Sequence, residues 1–190
     1  MNIKHSKQNN AEIFSFSVFN PNAKNGISSV LSKFNKTSKP PIILCVGSDL
    51  VLGDSLGPLI GTFLQKRNVP AHVYGTLSFP ITAKEINYAK DYLKKTHPLS
   101  PVIAIDAAVG DLEDVGTIRV LNHGIKPGLG VNKNLKIIGD YSIIGIVTEK
   151  EHSKINLLNA TRLNLIYKMA EQITAGVENF LLKENSSLNA

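Results

Sequence analysis

The chain has 190 residues, 43% of them hydrophobic, and a mean hydropathy of +0.01, an ordinary composition for one soluble domain with a sizeable core. Its formal charge of +6 invites a nucleic-acid reading, but residues 1–39 hold six lysines against Glu12 and so carry +5, leaving about +1 on the other 151 residues. That distribution excludes a basic groove for nucleic acid, no apolar run approaches a membrane span, and Lys4 and Lys7 lead into no secretory apolar region.

Residues 1–25 are rich in Asn and Ser, and loose order is expected there. Ile27–Phe34 has amphipathic helical spacing. The first strand is predicted over Ile42–Val46, a continuous apolar run that stops at Gly47-Ser48. Gly53-Asp54-Ser55-Leu56-Gly57-Pro58 then opens a helix carrying Leu59, Ile60, Phe63 and Leu64, with Asp54 or Ser55 as N-cap and Pro58 in the first turn. A second strand is predicted over Ala71–Tyr74. Thr82-Ala83-Lys84-Glu85 matches a capping box for a helix reaching to about Lys95. Val102–Ile105 reads as a third strand ending in Asp106-Ala107-Ala108. An acidic turn over Gly110–Gly116 leads to a fourth strand, Thr117–Leu121. Gly124–Asn134 is a Gly/Pro loop, Tyr141–Val147 a fifth strand, and a long helix is predicted from about Ile155 to Lys183.

This alternation predicts an α/β fold with a mainly parallel sheet covered on both faces. The expected boundaries are a basic N-terminal segment over 1–39 with a short helix, one α/β domain over 40–184, and a tail over 185–190. In such sheets the first strand often lies beside the third, and ligands bind at the carboxyl ends of the strands. Asp54 and Asp106, 52 residues apart in sequence, would then face one crevice.

Two carboxylates in one crevice can share a proton and work as a base–acid pair on water, or they can hold a divalent metal. The plainer reading makes Asp54 a helix cap and Asp106 a strand-end residue. For either residue alone that reading is at least as good. Gly53-Asp54-Ser55-Leu56 also spells the signature of one esterase class, with Ser55 as nucleophile. The His and Asn blocks of that class have only weak echoes, in Glu149–His152 and Gly130–Lys133, so Ser55 reads better as a capping residue. Gly128-Leu129-Gly130 lacks the Gly-Lys-Ser/Thr ending of a phosphate loop and the third Gly of a dinucleotide fingerprint. His123 could serve as a third ligand or proton carrier. The histidines form no metal-ligand spacing. Cys45 lies inside the first strand and reads as core; as the single cysteine it allows no internal disulfide, which fits a reducing cytoplasm.

Three blocks, in order, resemble the active-site blocks of the spore germination proteases: Gly47 through Asp54–Pro58, Ile103–Ala107, and Gly124–Lys133. Similarity to the smaller YyaC family of sporulation proteins is closer, and extends to Tyr74–Leu77, Gly139-Asp140, Gly145–Val147 and Thr161–Leu163. It spans roughly residues 40–180.

The resemblance implies a three-layer, phosphorylase/hydrolase-like α/β/α fold shared with hydrogenase-maturation endopeptidases. It implies an atypical aspartic peptidase ancestry, with Asp54 and Asp106 matching the catalytic aspartates. In the hydrogenase-maturation relatives the acidic pair helps bind nickel. The chain departs from the protease pattern at Ser48, at Leu52-Gly53 and at Lys126, which stands where the loop histidine would be.

The expected protein is thus a cytoplasmic, sporulation-linked peptidase, in the forespore or mother cell by resemblance. Asp54 and Asp106 would be catalytic. Gly47, Ser48, Ser55, Lys126, Gly128, Gly130 and Asn132 would line the binding site, with Asn132 or the glycine-loop amides facing the oxyanion. No cofactor is expected; a divalent metal on Asp54 and Asp106 remains open. The expected partner is a protein or peptide, a spore protein by resemblance, with no membrane or nucleic acid; self-association is open. The alternatives are a non-catalytic relative that keeps the crevice to bind a peptide and, well behind, the Ser55 esterase.

Overall fold

Every residue of strand β2 (Ile42–Cys45) is buried, because the strand is covered on both faces of a six-stranded sheet. The computed structural model describes residues 11–37, 39–127, 136–150 and 161–188. The other strands are β1 (Ile13–Ser17), β3 (His72–Tyr74), β4 (Val102–Gly110), β5 (Thr117–Leu121) and β6 (Tyr141–Glu149), and the sheet order is β1-β5-β6-β4-β2-β3. The pairs β2–β3, β2–β4 and β4–β6 are parallel, while β5 is antiparallel to both β6 and β1. The predicted neighbours, the strands at Ile42 and Val102, do lie side by side.

Side chains alternate between the two faces of a strand, and this builds the layers. Ile43 and Cys45, with Ile103 and Ile105, face one cluster formed with helices α1 (Ala23–Phe34), α2 (Leu56–Lys66) and α4 (Leu163–Leu188). Ile42, Leu44, Val46 and Ala104 face the other, against Ile86 and Leu93 of α3 (Ile86–Thr96) and against Ile125 and Ile138. The result is a three-layer α/β/α fold. Fully burying each of these isoleucines is worth about 1.5–3 kcal/mol. Among the described residues, no helix is long and apolar enough to cross a membrane.

The expectation of loose order before residue 26 is corrected over 13–17. Ile13–Ser17 pairs in register with Thr117–Leu121 and closes one edge of the sheet. Phe16 is buried in the larger cluster, and Phe14 packs on Phe34 with ring centroids 5.9 Å apart. The basic segment thus supplies an edge strand and a packed helix. The strand at Val102 runs on past Ile105 to Gly110, because β6 accompanies it that far. The long C-terminal helix begins at Leu163 in the described residues; 151–160 lie outside them.

The expected capping box is a turn ahead of α3 and not its cap: the helix starts at Ile86, its N-cap Glu85 makes no side-chain cap bond, and the Glu85 amide donates to the Thr82 carbonyl at 3.0 Å. The Glu85 carboxylate accepts the Thr82 backbone N–H at 3.0 Å and the Thr82 hydroxyl, while the Lys84 amide donates to Thr82 Oγ1 at 3.2 Å. Thr82→Ala, which removes the hydroxyl bonds of this turn, is expected to lower stability by about 1 kcal/mol, read as the shift of a urea midpoint. An unchanged midpoint would mean that this turn contributes nothing.

Candidate active site

The turn after β2 is shaped by two glycines. Gly47 has φ +144°, a conformation that side chains disfavour, and a Cβ there would overlap the Asp54 carbonyl. That carbonyl accepts the Ser48 amide at 3.1 Å, which closes the loop. Gly57 lets the start of α2 rest on the end of β2, because a Cβ at this position would overlap the Val46 carbonyl. The chain between them forms a 3-10 turn, Gly53–Ser55, packed against β4 and α4. Asp54 is thereby held at the carboxyl edge of the sheet.

Asp106 lies within β4, opposite Ile144 of β6. On its other side the Val46 amide donates to the Ile105 carbonyl at 2.8 Å, so β2 still runs alongside. Alternation from Ala104 aims Asp106 at the α3 face. Only 7% of the residue is exposed, and its Oδ1 accepts the Ala107 amide at 2.9 Å. One more residue on β6 than on β4 shifts the register just beyond, between Ala108 and Val109, and such bulges often re-aim side chains beside a site.

The two carboxyls feel one another. Burial holds Asp106 well above the usual carboxylate range, and the charge of Asp54 raises it further; the Ala107 amide only partly offsets this. Burial also raises Asp54, with the Ser48 amide opposing. Two carboxyls pushed upward in one desolvated crevice favour a state in which they hold one proton between them.

The remaining candidates fall in different places. Gly47 and Ser48 belong to the loop that holds Asp54. Ser55 is not a side-chain cap: its hydroxyl donates to the Leu52 carbonyl at 2.6 Å, inside the turn. Of the described imidazoles, His97 Nε2 bonds the Tyr74 hydroxyl at 2.8 Å, His123 Nδ1 bonds the Gly124 carbonyl at 2.9 Å, and the His72 ring packs on that of His97 with centroids 4.6 Å apart. Ser55→Ala should therefore leave any ester hydrolysis untouched and cost about 1 kcal/mol of stability; loss of hydrolysis in a variant that stays folded would reinstate a nucleophile. Lys126 is exposed, next to an Ile125–Ile138 bridge. The stem of that loop is rooted at the amino end of β6, where the Ser142 hydroxyl donates to the His123 carbonyl at 2.7 Å. Gly128, Gly130, Asn132 and His152 lie outside the described residues. Cys45 is fully buried, and burial pushes its thiol upward, away from reactivity.

Among the described residues, no group of three or more His, Cys, Asp or Glu side chains is arranged to hold a metal ion. Asp54 and Asp106 offer carboxylate donors, but the described residues do not complete a ligand set around them.

The fold and site together are an α/β/α domain with a buried aspartate inside β4 and a half-buried one on the loop that follows the neighbouring parallel strand β2. Residues 15–176 match the family described as "Protein of unknown function (DUF1256)", and the chain belongs to that family. The chain is 39% identical over 140 residues to the Bacillus subtilis (strain 168) protein described as "Uncharacterized protein YyaC", a match covering 73% of this chain and 68% of that one.

Proposed function

We propose that this protein is a peptidase-like hydrolase in which Asp54 and Asp106 act on water as one unit. The observation that supports this reading most is the pair itself: a carboxyl buried in β4, raised by burial and by the charge of a second carboxyl on the neighbouring loop. Such a pair divides the roles. Asp106, the more deeply buried, holds the proton; Asp54, the more exposed, is the carboxylate.

Asp54 takes a proton from water as the water oxygen bonds to the peptide carbonyl carbon. Asp106 gives its proton to the carbonyl oxygen, forming a tetrahedral diol. As the C–N bond breaks, Asp54 returns its proton to the departing nitrogen, and a diol hydroxyl returns one to Asp106. Water is consumed and the pair is restored. Kinship with the germination proteases, and a setting in the cytoplasm of a spore-forming cell, follow from the sequence resemblance alone and are part of the proposal.

The test is a peptide mixture incubated with wild-type protein and with Asp54→Asn, read by mass spectrometry. New termini are expected with wild type, and a rate lower by about 10²–10⁴-fold with Asp54→Asn. Equal cleavage by both proteins would overturn the proposal. Binding without turnover would favour a relative that keeps the crevice only to hold a peptide.

A further inference from the structure

On the sheet face towards which Asp106 is aimed lies a cavity of about 390 Å³ lined by Leu44, Tyr74, Ile81, Glu85, Tyr88, Ala89, Tyr92 and Leu93. We propose that this cavity is a specificity subsite that takes one large apolar side chain of a peptide, a few residues from the bond facing Asp54 and Asp106. The proposal rests on the peptidase reading above and names the substrate feature that reading leaves open.

Position is the first argument. Leu44, on the cavity floor, lies on β2 and faces the α3 side, as Asp106 does one strand away. Ile81 forms a parallel bridge with Val46, and the Gly47 amide donates to the Ile81 carbonyl at 2.9 Å. The cavity wall and the loop that holds Asp54 are therefore tied by one hydrogen bond. From Ile81 across β2 to Asp106 is two strand spacings, about 10 Å, or about three residues of an extended peptide. A peptide running along the carboxyl edge from the pair reaches the cavity without a turn.

Chemistry is the second. Helix α3 points Tyr88 and Tyr92 outward, 74% and 42% exposed, among Lys90, Lys94 and Lys95. The rings brace one another. Tyr88 stacks on Tyr92 (6.4 Å, 21°), and Tyr92 meets Tyr74 edge-on (6.0 Å, 73°). Tyr74 is fixed in turn by its hydroxyl on His97. Phe79 and Leu77, on the loop leading to Ile81, are also exposed and add apolar surface on the segment that runs into the cavity lining. The one charged residue of the lining, Glu85, has its carboxylate engaged by Thr82. A wall of preset rings whose one charge is the anionic Glu85 carboxylate accepts an aromatic or long aliphatic side chain and repels a carboxylate. The volume is at the small end for a ligand site and suits one side chain better than a cofactor.

The test uses two blocked tetrapeptides, acetyl-Ala-Ala-Phe-Ala-amide and acetyl-Ala-Ala-Asp-Ala-amide, titrated into the full chain while the Tyr74, Tyr88 and Tyr92 ring signals are followed by NMR. The Phe peptide is expected to move those signals and to bind at least tenfold more tightly than the Asp peptide. Tyr88→Asp, at a largely exposed position that should not disturb folding, is expected to weaken the Phe peptide at least tenfold. Still ring signals, equal binding of the two peptides, or unchanged affinity in a folded Tyr88→Asp protein would each overturn the subsite. The two proposals fail separately. Ring shifts without any cleavage by wild type keep the subsite and sink the hydrolase; cleavage with no preference for a large apolar residue sinks the subsite and keeps the hydrolase.

Discussion

Asp106→Asn is expected to abolish hydrolysis, lowering the rate by about 10²–10⁴-fold, and at the same time to make the protein more heat-stable at neutral pH. The two effects have one cause. A carboxyl 7% exposed, beside a second carboxyl, is costly to ionise. The unfolded chain has no such cost. Between the ordinary value of 3.8 and the raised folded value, the unfolded state releases its proton while the folded state keeps it. Folding then binds a proton, so stability falls as pH rises through that window and levels off once the folded group itself ionises.

An amide at position 106 has the same shape and no charge, and its NH₂ can donate towards Asp54. The variant should therefore lose that pH slope and gain a few degrees in Tm, at about 2–4 °C for each kcal/mol relieved. Melting curves from pH 4 to 8 for wild type and variant check this. Parallel curves would mean that Asp106 is charged at no cost, and the shared-proton mechanism would fall with it.

The second large effect is steric. Gly57→Ala is expected to lower stability by about 3 kcal/mol, because the new methyl overlaps the Val46 carbonyl, a backbone atom fixed in the sheet. This corresponds to a fall in Tm of about 6–12 °C. Helix α2 can relieve the overlap only by lifting off β2, and it carries the Gly53–Ser55 turn with it. Activity should therefore drop further than the unfolded fraction explains, because Asp54 moves away from Asp106. A variant with unchanged Tm and activity would show that the α2 start does not rest on the strand.

Much of this fold could be read from apolar runs. Ile42–Val46, Val102–Ile105 and Tyr141–Val147 announce central strands because burial on both faces demands continuous apolar sequence. The position of the acidic pair follows from the chain order of those strands. What escaped was the edge. Ile13–Ser17 alternates over only five residues in an Asn- and Ser-rich stretch, and its partner β5 is 100 residues away in sequence, so the pairing leaves no local signal. The alternation of Phe14, Ser15, Phe16 and Ser17 was the one hint available.

The site was legible as residue types but not as geometry. Sequence does not show that Ser55 spends its hydroxyl on Leu52, or that Asp106 sits inside its strand and not at the end. The tyrosine-lined cavity was missed altogether. Tyr88 and Tyr92 have the i, i+4 spacing of a helix face, but only the packing of Tyr74 and Ile81 against them makes that face concave.

The most direct measurement is a pH titration of the Asp54 and Asp106 carboxyl carbons by NMR. The shared-proton account predicts that Asp106 stays protonated well above the ordinary carboxylate range and that each carbon shows an inflection when the other ionises. Two independent curves, each centred near the ordinary aspartate value, would contradict it.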